Sequence, residues 1–186
     1  MIFLRKIKVS AILLFLGMPT VLYAQSSFST KNAKVSFFSS TPIEDIKAAS
    51  DKGSAVFITK TRDLAFQVPI KSFQFSKGLM QEHFNENYME SDKYPIARFR
   101  GKINQDIDLS KDGEYPVTAS GLLFIHGVEK KRTLNGKIKV MGNKIVMLSN
   151  FDVACVDHNI RIPKLVITKV AEIINVNVNA TLIQNN

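Results

Sequence analysis

The sequence predicts an all-β protein: one domain of at least eight antiparallel strands joined by short links, closed into a barrel or stacked as a sandwich. Three observations carry that prediction. Apolar and polar residues alternate with a period of two over most of the chain beyond residue 25, the mark of half-buried strands. Turn residues punctuate the alternation at Lys111-Asp112-Gly113, His126-Gly127-Val128 and Met141-Gly142-Asn143. No linker, internal repeat or low-complexity stretch divides the remainder of a 186-residue chain, a length that suits a single domain.

The elements follow in order. Residues 1–24 read as a cleaved leader rather than as structure. Arg5, Lys6 and Lys8 give a positive start, residues 9–21 are mostly apolar, and Pro19 and Ala24 lead up to a cut before Gln25. That apolar stretch is short for a bilayer span. A retained anchor is the alternative, and otherwise the protein over residues 25–186 carries no membrane span.

Strands are expected over residues 35–38 and 55–59. Leu64, Phe66, Val68 and Ile70 continue the alternation, but Phe73 and Phe75 shift its phase by one. A β-bulge near Lys71 and Ser72 would absorb the extra residue. Residues 77–89 break the period: Leu79, Met80, His83, Phe84, Asn87 and Tyr88 recur at helical spacing, opposite Glu82, Glu86 and Glu90. This predicts a short amphipathic helix whose apolar side lies against the sheet. Strand periodicity resumes through Ala97, Phe99, Gly101 and Ile103, then over residues 117–125. It continues through Leu134, Gly136, Ile138 and Val140, over residues 145–153, and through Val176, Val178, Ala180 and Leu182.

Composition removes whole classes of function. The formal net charge is +9, of which Arg5, Lys6 and Lys8 supply three charges. A basic exported protein meets anionic headgroups and cell-surface polymers more readily than nucleic acid. The only run of three cations, Lys130-Lys131-Arg132, is expected in a hairpin connection, so no nucleic-acid partner is inferred. A single cysteine excludes an internal disulfide and any site built on two thiolates. No glycine-rich phosphate cradle is present, and no cofactor or resident metal is implied. The acidic side of the helix reads as a solvated face.

The candidate reactive groups are few. His83, His126 and His158 are the only histidines, and Cys155 lies three residues before His158. A Cys–His pair needs a geometry that this spacing does not supply, and Cys155, Asp157 and His158 form at best a weak metal site. The structural readings are therefore preferred. His83 is a hydrogen-bonded residue of the buried helix side, His126 orders its hairpin, and Cys155 is a small apolar filler. No triad or paired acid supports catalysis, and the chain is read as a non-enzyme.

Several ordered segments resemble a known family. They are Ser72-Phe73-Gln74-Phe75, Met80-Gln81-Glu82-His83-Phe84-Asn85, Tyr94-Pro95, Phe99, Gly101, Leu123-Phe124-Ile125-His126-Gly127-Val128 and Phe151-Asp152-Val153. Together they resemble the YceI-like family of polyisoprenoid-binding, lipocalin-like proteins, over nearly all of the chain from Phe28 to Leu182. The resemblance implies an elongated, eight-stranded antiparallel barrel with a long apolar interior. It also implies an isoprenoid-type ligand, such as a polyprenyl phosphate or a quinone-like lipid, and export to a Gram-negative periplasm. Lipocalins proper carry a Trp near the first strand, and this chain has none.

The residues themselves suggest where such an interior would lie. Phe57, Phe66, Phe99 and Phe151 would furnish an apolar lining, and Phe84 would close it from the helix. One face of the strand over residues 117–125 carries Val117, Ala119, Gly121, Leu123 and Ile125, and Ala119 and Gly121 would leave volume there. Alternation alone cannot distinguish a lined cavity from a packed core. Two functions stay open: a module that binds, sequesters or carries an isoprenoid-type lipid, and a non-catalytic interaction or stress-response protein with a packed barrel. The sequence leaves monomer and dimer equally open, and any phosphate at the mouth would call on Arg98, Arg100 or Lys102, whose alternation places them outside.

Overall fold

A computed structural model describes residues 26–162 and 170–185, so the leader read over residues 1–24 lies outside the described residues. Strands β1 (Ser27–Ser40), β2 (Asp45–Ile58), β3 (Asp63–Pro69) and the two-residue β4 (Gln74–Phe75) precede helix α1 (Gly78–His83). Strands β5 (Ile96–Ile103), β6 (Gly113–Ile125), β7 (Val128–Met141), β8 (Lys144–Ala154) and β9 (Ile173–Asn185) follow. Every pairing is antiparallel, and the order β1-β9-β8-β7-β6-β5-β3-β2 returns to β1, which closes an eight-stranded barrel with β4 as an extra strand on β2. Each of the eight barrel strands pairs with a neighbour on both sides, which answers the barrel-or-sandwich question, although β7 and β8 pair only over Gly136–Met141 and Lys144–Ser149.

Local chemistry explains where strands end. The β6–β7 hairpin is the two-residue turn His126-Gly127 with both φ angles positive (49° and 76°), a geometry matched to the twist of the strands. Gly142 takes a positive φ in the β7–β8 turn, where its N–H donates to Asp112 Oδ1 at 2.7 Å and ties two neighbouring connections together. Thr41 Oγ1 accepts from the N–H groups of Ile43 and Glu44 and fixes the β1–β2 turn.

Three expectations are corrected. The phase shift after Ile70 is absorbed by a 3-10 turn over Ile70–Ser72 rather than a bulge. Ser72 Oγ donates to Pro69 O (2.6 Å) and lies 2.6 Å from Ser50 Oγ, and the chain then rejoins β2 as β4. The expected helix over residues 77–89 is α1 followed by a single π turn, Phe84–Tyr88. His83 and Asn87 are exposed, Phe84 and Tyr88 are half-buried and Met89 is buried. Lys130-Lys131-Arg132 lies within β7, not in the connection, because the hairpin needs only two residues.

The two ends of the barrel differ. The β2–β3, β5–β6 and β7–β8 turns share one end, and there Phe28, Ile138, Val140, Ile145 and Leu182 are all but fully buried. Ile107 and Leu109 from the β5–β6 connection pack onto the same cluster and plug that end. The other end carries the β1–β2 turn, the segment over residues 70–95 that contains α1, the β6–β7 hairpin and the β8–β9 connection. The segment over residues 70–95 and the described parts of the β8–β9 connection thus meet at one mouth. Among the described residues, no helix is long and apolar enough to cross a membrane.

Candidate functional site

Between the plug and the mouth lies a cavity of about 530 Å³, within the range that holds small apolar ligands. Inward-facing residues of the strands build its wall, and α1 with its π turn covers part of the opening. At the mouth Phe37, Phe73, Phe75 and Phe84 form an aromatic cluster, with ring centroids 5.0–5.8 Å apart. These contacts are tilted, stacked and edge-on, and such arrangements add attraction beyond simple burial. Phe84, half-buried, is the helix's contribution to the cluster and packs the cover onto the barrel.

Six of the residues read from the sequence face this cavity: Phe66, Phe84, Phe99, Ala119, Leu123 and Phe151. Two do not. Phe57 is 2% exposed within the packed cluster. Gly121 leaves no free volume: a Cβ built on it would stand 2.2 Å from Arg100 O and 2.5 Å from Gly101 Cα. It is small because β5 runs close alongside it, with Gly101 as its direct partner. Phe37, Phe73 and Phe75 were not singled out as lining, although the phase shift at Phe73 was a visible signal that the chain turns there. Ala55, Ala97 and Ala180 also line the wall and keep it thin.

Polar groups near the mouth are mostly engaged. Lys77 Nζ lies 2.8 Å from Glu44 Oε1 and joins the start of α1 to the β1–β2 turn. At the far end of the cover, Glu90 (φ 42°) reaches His126: Nε2 lies 2.8 Å from Glu90 Oε2, and Nδ1 donates to His158 O at 3.0 Å. The Tyr94 ring packs edge-on against His126, with centroids 4.7 Å apart, and fills the space where a Gly127 side chain would be. His126 therefore orders its hairpin and also fastens the cover to it.

The expected structural role of His83 is corrected, since its side chain is exposed. Arg98, Arg100 and Lys102 point outward, and Arg98 lies over the Phe124 ring at 4.1 Å. Cys155 and His158 do not form a nucleophilic pair. Burial, with a smaller push from Glu172, raises the Cys155 thiol to about 11, and its Sγ faces Ala171 O. Among the described residues, no group of three or more His, Cys, Asp or Glu side chains is placed to hold a metal ion.

His158 is fully buried, with Nδ1 donating to Val128 O at 3.2 Å and no partner at Nε2 among the described residues. Burial lowers its pKa below the ordinary histidine range. The unfolded chain therefore binds a proton that the folded one refuses, so stability should fall as pH drops through that range. Urea denaturation between neutral and mildly acidic pH checks this. His158→Gln, which keeps a donor for Val128 O, should flatten the slope.

A closed barrel with one plugged end and an apolar interior is the architecture of a binding protein. The chain belongs to the YceI-like family, whose domain profile matches residues 20–182. Solved structures share the fold at low identity. A polyisoprenoid-binding domain from Saccharophagus degradans, implicated in plant cell wall breakdown, is 14% identical over 87% of this chain and 99% of its own, with a TM-score of 0.73. BcnA from Burkholderia cenocepacia is 15% identical over 81% of this chain and 95% of its own (TM-score 0.67). The YCEI protein of Campylobacter jejuni is 14% identical over 98% and 99% (TM-score 0.55). Among curated protein sequences, none matches this chain.

Proposed function

We propose that the barrel binds an isoprenoid-type amphipathic lipid, a polyprenyl phosphate or a quinone-like molecule, with its chain in the cavity and its headgroup at the mouth. The observation that supports this most is the apolar cavity itself, open towards the end that carries α1. Each buried CH₂ contributes roughly 0.8 kcal/mol, so a few five-carbon units offset the entropic cost of association. The similarity to a polyisoprenoid-binding domain points the same way. The cavity also weighs against the alternative, an interaction protein whose barrel is solidly packed. The reading includes export by a cleaved leader and a periplasmic site of action, where such a protein would sequester or carry its lipid.

The test is an organic extract of gently purified protein, analysed by mass spectrometry. Expected is one class of long apolar lipid at close to one molecule per chain. An empty extract, together with no uptake of added polyprenyl phosphate or quinone, would overturn the proposal. N-terminal sequencing of the same protein from its native envelope should begin near Gln25. Retention of Met1 in the membrane pellet would overturn the periplasmic assignment.

A further inference from the structure

We infer that the outer wall formed by β5, β6 and β7 is a docking face for an anionic lipid bilayer. The register across these strands sets outward residues side by side in rows. Arg98 pairs with Phe124, and Phe124 with Glu129; one row further from the mouth, Arg100 pairs with Leu122, and Leu122 with Lys131. Lys102 follows beside Ser120. The second row therefore places an apolar side chain, 37% exposed, between two exposed cations. Ile96, at the start of β5, adds a second exposed apolar group on the mouth side.

The charges on this wall are not internally cancelled. Lys102 has Asp63 at 3.6 Å, and Arg98 is taken up by the Phe124 ring. Among the described residues, Arg100 and Lys131 form no salt bridge, and Glu129 is the only carboxylate in the two rows. Cations flanking exposed aliphatic groups, beside a half-buried aromatic ring, match the headgroup layer of an anionic bilayer, where phosphates meet the charges and acyl chains meet the apolar groups. The second row stands three residue pairs from the β6–β7 hairpin, about 10 Å along the strands, so the wall adjoins the mouth. A bilayer held there lies next to the cavity's opening. The inference rests on the outer surface alone and holds whatever the cavity contains.

Sedimentation with vesicles of phosphatidylcholine, with and without phosphatidylglycerol, tests it. The full protein is expected to bind the anionic vesicles at low ionic strength and to release them as salt rises. Arg100→Glu with Lys131→Glu should weaken binding by at least about tenfold. Lys31→Glu with Lys34→Glu makes the same change in net charge on β1, diametrically opposite β6 in the barrel order, and should leave most of the affinity. Leu122→Ser, which keeps every charge, should weaken it severalfold. Equal losses from the two double variants would show that net charge alone is responsible and would overturn the docking face. No binding by the parent, or an unchanged Leu122→Ser protein, would overturn the lipid assignment and leave the wall to an acidic macromolecule.

Discussion

Gly121→Ala should destabilise the barrel by about 3 kcal/mol or more, at or beyond the upper end of ordinary overpacking. The reason is space, not backbone handedness. The added methyl would stand 2.2 Å from Arg100 O and 2.5 Å from Gly101 Cα, and both are main-chain atoms with no rotamer through which to retreat. Gly101 faces the same constraint in reverse, since its Cβ would lie 2.3 Å from Ser120 O and 2.8 Å from Gly121 Cα. The two glycines are direct partners across β5 and β6, so they let two strands approach where the wall coils. Gly121→Phe should fail to fold. Gly78→Ala is the control, because nothing lies within 4 Å of its Cβ and the residue is helical. That change should be neutral or stabilise by up to about 1 kcal/mol. Urea denaturation of the three variants decides the matter, and a Gly121→Ala protein as stable as the parent would show that β5 and β6 can separate freely.

Ala119→Phe should empty the barrel of lipid while leaving it folded. Ala119 lies midway along β6 between Ile103 and Leu134, and its methyl faces the cavity. A ring there enters open volume, so the overpacking cost that applies in a dense core is largely avoided. It also occupies the space that a chain must cross to reach the plugged end. Ala97→Phe makes the same change close to the mouth, since Ala97 is the second residue of β5. The pair reads depth: loss of all lipid from the Ala119 variant means the chain reaches mid-barrel, and retention of a shorter lipid means it stops above. A folded Ala119→Phe protein with its full original lipid load would show that the ligand does not occupy this cavity. If Ala119→Phe instead fails to fold, Ala97→Phe carries the test alone.

Much of the fold was legible because its determinants are local. Leu134, Ile138 and Val140 face inward because a strand alternates its sides, and the polar residues between them face water. His126-Gly127 turns tightly because both residues take positive φ, which Gly127 allows without strain. Those facts need no knowledge of distant residues. The interruption at Ile70–Ser72 was visible as a phase shift, but its form depended on Ser50 and on where β2 lay. The helix and the inward side of Phe84 were legible, yet the π turn and the exposure of His83 were not.

The candidate site divides in the same way. Ala119 and Gly121 sit two residues apart on one face of one strand, and the sequence by itself assigned them the same role. Only the tertiary structure separated them. Ala119 looks into open volume, while Gly121 meets a backbone that is adjacent in space but some twenty residues away in sequence. Alternation fixes which way a side chain points. How far away the opposite wall stands is set by the strand number and the stagger of the closed barrel, and those are properties of all eight strands together.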